Sequence, residues 1–457
     1  MLVIDQKPKF SEPVFAGLKQ LNTIEGKEPA KQVQAIDKAE NGLWDKAQSI
    51  AEWVCSREST YRSALDLVGW ELPSLLAAST RNIYSFAEAV FMSVIGFVPI
   101  VTAPSITKFF GSVLSKFYLD KEDHDQASKY LLFQLNDLDD AKTVKAGIER
   151  MKHEEPEDCS FMMDLNKNKE EKVQFYANKS KELTKFFKDL KVDDTKRKKI
   201  KALKKAVIQA ESFVESFIWG GYYFFNRMFR KYVLKQDRFT GTKAYESDEE
   251  AKKNSDSSEL SMFQKFGILG SMLSGPLVNK FLLDKVEDTE AVAKSPWLKT
   301  IKSQWDMTHG VFPKLGLLFS YVQIPATFGQ MFAAQGKNEL TENIMRQFTM
   351  VPSWWFGHQL TNGVLAKNAD KKLSEKFSKN GILVEPQDLH KIAPDPAKIQ
   401  HILKATKANP ELEKEARKEH AKALYKGFGL HAMLVFGARM LMNWFTKFRV
   451  TRGILKS

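Results

Sequence analysis

Long charge-free runs alternate with highly charged stretches along this chain of 457 residues. Residues 89–107 hold no Asp, Glu, Lys or Arg over 19 positions, 315–336 none over 22, and 347–366 none over 20, with His358 taken as neutral. A helix needs roughly 20 apolar residues to cross a hydrocarbon core. The first run is rich in Val, Ile and Phe and meets that need. The second carries Gln323, Pro325 and Gln330. The third sets His358, Gln359 and Asn362 beside Trp354 and Trp355. Shorter uncharged runs at 216–226, 266–279 and 427–438 have the length expected of buried core helices or interfacial segments. Pro99, Pro104, Pro325 and Pro352 predict bent or re-entrant segments.

The polar stretches between these runs carry helical periodicity. Tyr176, Leu183, Phe186, Phe187 and Leu190 form one stripe, and Ile200, Leu203, Val207, Val214, Phe217 and Ile218 a second. Asp193 and Asp194 offer capping oxygens ahead of the second stripe. Near the C-terminal end, Asp395-Pro396 and Asn409-Pro410 each predict a helix start, and Gly427 predicts a stop. Ile382 to Val384 is the single short strand candidate outside the apolar runs. The pattern predicts an all-α, multi-helix protein in which several apolar, membrane-inserting or re-entrant helical segments are joined by long polar helices. The expected organisation is a polar helical region over 1–60, a first apolar block over 61–119 and a polar amphipathic region with a polybasic end over 120–210. An aromatic-rich apolar segment follows at 211–234 and a flexible linker at 235–260. An apolar block over 261–366, a polar helical pair over 367–426 and an apolar helix with a basic tail over 427–457 complete the chain.

Charge sharpens this picture. The chain has 69 Lys and Arg against 56 Asp and Glu, a formal +13. The excess is concentrated: residues 181–210 hold 11 basic and four acidic residues, and 439–457 five basic and no acidic. In 196–205 seven of ten residues are basic: Lys196, Arg197, Lys198, Lys199, Lys201, Lys204 and Lys205. A polybasic segment ahead of an aromatic block is what anionic lipid headgroups attract. These seven are therefore expected to contact anionic lipid, and Trp219, Tyr222, Tyr223, Trp354, Trp355 and Trp444 to sit at the membrane interface. Nucleic acid is not the expected partner, because the rings follow the basic run as a block instead of interleaving with it. A protein partner or a second copy stays open. A mean hydropathy of −0.35 excludes a compact chain made mostly of lipid-buried helices. Two cysteines, Cys55 and Cys159, exclude a disulfide framework. The opening residues carry too short an apolar run for a cleaved export signal. The expected location is a membrane, with the large polar regions facing the cytoplasm.

Candidate chemistry is sparse. Arg81 and Glu88 stand at the start of the first apolar run seven residues apart, about two helical turns, and would share a face roughly 10 Å apart as an intramembrane polar pair. Glu71 and Arg81, with their neighbours, would form a polar cluster with them. Arg439 and His431 interrupt the last apolar segment in the same way. The eight histidines lack metal-site spacing, and no phosphate-binding loop or nucleophile elbow occurs. No catalytic, cofactor or metal residue is assigned. The spacing of His390 and Asp395 resembles that of membrane acyltransferases, without their neighbouring sequence. Lys116 to Lys121 matches Lys280 to Lys285 at five of six positions, a short echo that common residue types explain. The expected role is structural, scaffolding or lipid-binding at a membrane. One alternative is a soluble all-α protein with a large core or dimer interface. Another is a lipid-handling enzyme around Arg81, Glu88 or His390, or a transporter-like protein in which Gln323, Gln330, His358 and Asn362 line one cavity.

Overall fold

A computed structural model describes residues 63–153, 185–236, 239–242, 260–305, 307–308, 312–313, 315–352 and 410–452, with a few single positions elsewhere. The chain divides into two compact units, Met1–Ala51 and Glu52–Ser457. In the first, positions 46–48 are helical.

The second unit is all-α, as the periodicity predicts. Its main helices are α1 (Leu72–Ser79), α2 (Ile83–Tyr118), α3 (Ala141–His153), α4 (Asp194–Tyr232), α5 (Met262–Glu287), α6 (Pro296–Gln304), α7 (Ile324–Ala333), α8 (Gly336–Pro352) and α9 (Pro410–Thr451). A π-helical segment, Asp66–Glu71, leads into α1, and a second, Phe319–Gln323, leads into α7. Two-residue strands β1 (Met307–Thr308) and β2 (Phe312–Pro313) pair antiparallel. The strand candidate at 382–384 lies outside the described residues.

Local chemistry fixes the ends of the long helices. Asn82 is extended and its side chain accepts from the Ser85 N–H, so α2 starts at Ile83. Asp193 caps α4 through the Lys196 N–H, as its sequence position predicts. Ser261 and Gln264 form a capping box that opens α5. α2 runs unbroken through Pro99 and Pro104, so of the two expectations, a bent or a re-entrant segment, the re-entrant one does not hold there. Gly427 does not stop a helix: α9, 42 residues long, runs through it. Among the described glycines only Gly336 has positive φ, so Gly427 lacks the left-handed backbone that a glycine stop uses.

α4 is the central strut, and it crosses the boundary expected near 210. It lies antiparallel to α2, through contacts that pair Arg230 with Glu88, Tyr222 with Met92, Glu211 with Thr107 and Lys199 with Asp120. It is antiparallel to α5 as well: Ser216 donates to the Met272 carbonyl (2.7 Å), and Lys205 pairs with Glu287. Small residues allow these close approaches. A Cβ on Gly220 would stand 2.6 Å from the Ser271 and Met272 backbone, so any side chain there would force α4 and α5 apart.

α2 and α5 are long and apolar enough to cross a membrane. At about 1.5 Å per residue their 36 and 26 residues span about 54 and 39 Å. Both end in one apolar cluster, which holds Leu119 and Leu283 with Leu131, Phe133, Leu138, Phe187 and Leu203. The two echo segments thus occupy matching places, each with a buried Leu (119, 283) and an exposed Phe (117, 281).

Candidate functional site

At the opposite end of α2 from that cluster, a cavity of about 180 Å³ opens between α1, α2, α4, α7, α8 and α9. Its wall carries five acidic residues (Asp66, Glu71, Glu88, Glu339, Glu342) and four arginines (Arg81, Arg230, Arg346, Arg439). Such a density of buried charge persists only where charges are paired and hydrogen-bonded. Arg230, 1% exposed, donates Nε to Glu88 Oε1 (3.0 Å) and another N–H to Glu88 Oε2 (2.9 Å). It also donates to Glu339 Oε1 (2.9 Å). Asn226 donates to Glu88 (2.7 Å), which joins α2, α4 and α8 in one network.

A second node is built on Glu342. Arg81 donates to both its oxygens (3.0 and 2.8 Å), Thr446 of α9 donates at 3.0 Å, and Arg346 lies 3.4 Å away. Burial alone would push this carboxyl up, but the Arg81 and Arg346 charges and the hydrogen bonds hold it down at about 2. Arg346 also donates to the Tyr223 hydroxyl. Glu339, Glu342 and Arg346 sit at spacings of three and four, so one face of α8 delivers all three to the cavity.

Glu71 and Arg439 have no ion pair among the described residues. Glu71 accepts a hydrogen bond from Ser93, and burial raises its pKa while Ser93 and the Arg439 charge pull the other way. The Arg439 guanidinium lies 5.5 Å from the centre of the Trp70 ring, and its Nε has no hydrogen-bond partner. Gln330 is fully buried, and neither its amide oxygen nor its amide nitrogen has one.

The sequence-derived residues are distributed unevenly around this cavity. Arg81 and Glu88 both line it, without an ion pair between them. Arg81 precedes the Asn82 cap, so the two-turn spacing does not apply, and each takes a partner from another helix. Trp219, Tyr222 and Tyr223 line the cavity. The Tyr222 hydroxyl donates to the Met92 carbonyl (2.9 Å), and Trp219 Nε1 donates to Glu215 (3.1 Å). Trp444 is 59% exposed and stacks on Phe448. Trp354, Trp355, His358, Asn362, His390 and Asp395 lie outside the described residues. The first residues of the expected linker are also structural, since the Thr240 carbonyl accepts from Asn82 and Thr240 to Thr242 are buried.

The polybasic run lies at the other end, where most of it is engaged within the fold. Lys196 pairs with Asp123 (2.9 Å), Lys199 with Asp120 (2.7 Å), Lys201 with Asp139 (3.2 Å) and Lys205 with Glu287. Arg197 donates to the Leu138 and Asp139 carbonyls. Lys204 is fully buried and donates to the Leu131 and Phe133 carbonyls, so it does not reach a lipid surface. Lys198 is exposed. Sequence reasoning located the run but could not see the acidic residues of 120–139 and Glu287 that fold against it.

Between the two ends, Glu211 and Glu215 are buried one turn apart on α4 without a cation in ion-pair range among the described residues. Thr107 and Tyr321 donate to Glu211 (2.7 and 3.3 Å). Among the described residues no group of His, Cys, Asp and Glu could hold a metal ion. Comparison of the chain with family models, curated proteins and solved structures finds no match.

Proposed function

We propose that this chain is an integral, lipid-binding protein of a membrane, anchored by α2 and α5. The observation that carries this reading is the inverted placement of side chains on those helices. α2 turns Glu88, Thr107 and Ser115 inward with small residues such as Gly96, Ala103 and Gly111, while Val94, Val98, Phe109 and Phe117 face out. α5 buries Ser271, Gly275 and Asn279 and exposes Phe263, Phe266, Leu277 and Phe281. Only 28% and 33% of their most apolar windows is buried, whereas a core helix of a soluble protein is mostly covered. In water each large apolar side chain left out forgoes about 1.5–3 kcal/mol. In a bilayer the same arrangement costs nothing, and the inward polar groups gain hydrogen bonds.

The end that carries Lys198 and its paired neighbours, with the apolar cluster behind them, would face the cytoplasm under the basic-inside tendency. A transporter-like role is the second reading, favoured by the arrival of both Gln323 and Gln330 on one cavity wall. Extraction of membranes with alkaline carbonate tests the first point. The full chain should stay in the pellet; release into the supernatant would overturn integral insertion.

A further inference from the structure

Both π-helical segments found among the described residues line the same cavity: Asp66, Trp70 and Glu71 come from one, Val322 and Gln323 from the other. Such segments are well under 1% of residues in ordinary proteins and gather at functional sites, because the extra residue re-aims side chains at the cost of helix geometry. Two of them converging on one cavity point to a site that binds something.

The unmatched groups on the wall say what. Glu71 and Arg439 carry opposite charges and feel each other electrostatically, with no ion pair between them among the described residues. Each has lost water without gaining an ionic partner. Gln330 adds one donor and one acceptor, fully buried and unused. The volume far exceeds the ~10–15 Å³ that one water needs. We propose that the cavity binds a small zwitterion, its oxyanion on Arg439, its ammonium on Glu71, and a neutral polar group read by Gln330. A simple anion would satisfy Arg439 and leave Glu71 uncompensated, and a simple cation would do the reverse. A zwitterion matches both and leaves the cavity's net charge unchanged. The same chemistry occurs in phospholipid headgroups and in free solutes, and the membrane reading above bears only on that source.

The test is calorimetric titration of the detergent-purified full chain with sn-glycero-3-phosphoethanolamine, and of the nanodisc-reconstituted chain with dioleoylphosphatidylethanolamine. Glycerol 3-phosphate and ethanolamine serve as the two halves of the probe. We expect saturable binding of one zwitterion per chain, with each half at least tenfold weaker. Glu71→Gln, Arg439→Gln and Gln330→Leu should each weaken binding at least tenfold with unchanged melting. If Arg439→Gln does not fold, Glu71→Gln, which keeps the side-chain shape, carries the same test. Tighter binding of the acylated probe assigns the ligand to a lipid, and equal or tighter binding of the free probe assigns it to a solute. Absence of binding by either probe overturns the proposal, as does a half that binds as tightly as the whole or unchanged affinity in both charge variants. Protein that carbonate releases but that still binds the probe would remove the membrane reading and leave the site standing.

Discussion

The two ends of α4 follow opposite packing rules. Around its first half, Leu203, Val207 and Ile208 pack on Leu131, Phe133, Leu138 and Phe187, with rings edge to face and charges at the rim. This is the interior expected of a helical domain in water, where removal of apolar area supplies the driving force. Around its second half, Asn226, Arg227 and Arg230 point inward while Phe217 and Met228 face out. There the interior is held by close backbone approach at Gly220 and by directed polar contacts. Under the membrane reading proposed above, one helix would serve both because its solvent would change along its length, and the contrast predicts different responses to the same kind of substitution.

The largest effect belongs to the first half. Phe133→Ala should cost about 3–5 kcal/mol, since it removes a fully buried ring from a packed core. Leu277→Ala, an apolar truncation on the outer face of α5, should leave the melting temperature in detergent nearly unchanged, because Leu277 is 67% exposed and has little packing to lose. Thermal melts of the two variants in one detergent check this. Comparable losses would mean that α5 packs on protein there, and the inverted pattern would lose its meaning.

The same contrast explains how much could be read from sequence. The apolar run of α2 was legible because it is long, uncharged and bounded by Glu88 and Lys108. The Asp193 cap and the stripe from Ile200 to Val207 were legible because the periodicity is strong. The polar cluster of Glu71, Arg81 and Glu88 was visible as charges at the edge of an apolar run, and Gln323 and Gln330 as the residues a cavity would need. Their partners were hidden. Arg230 is 142 residues from Glu88, and Arg81 is 261 from Glu342; pairing over such separations is set by tertiary packing, which leaves no periodic trace. The three-and-four spacing of Glu339, Glu342 and Arg346 was present on the page, but it reads equally as a solvated helix face. The polybasic run hid its partners for a similar reason: lysines that balance distant acidic side chains carry the same sequence pattern as lysines that meet a lipid.

An intermediate effect comes from acid. The Glu342 carboxyl is held at about 2 in the folded protein against an ordinary value of 4.5. A lowered folded-state pKa stabilises the fold fully above the unfolded value, and that contribution is lost as pH falls from about 4.5 towards 2. The shift corresponds to roughly 3 kcal/mol at neutral pH. Glu342→Gln should therefore flatten the pH dependence of denaturant unfolding inside that window and leave the slope above pH 5 alone. An unaltered slope between pH 4.5 and 2 would mean that the Arg81 network does not form.

The smallest effect lies on the lysine-rich surface. Lys199 and Asp120 form a pair at 2.7 Å, but their side chains are 37% and 66% exposed. Solvent screening leaves such pairs about 0–1 kcal/mol. Lys199→Gln should thus shift stability by less than about 1 kcal/mol, and the shift should vanish in high salt because exposed charges are screened within about 3 Å at 1 M. The reverse holds at the cavity, where water is excluded from the Arg230 pairs and salt has little access. Denaturant titrations of the wild type and Lys199→Gln at low and high salt measure this directly. A loss of several kcal/mol that survives high salt would place Lys199 in the buried class with Lys204 and would erase the boundary between the two halves of α4.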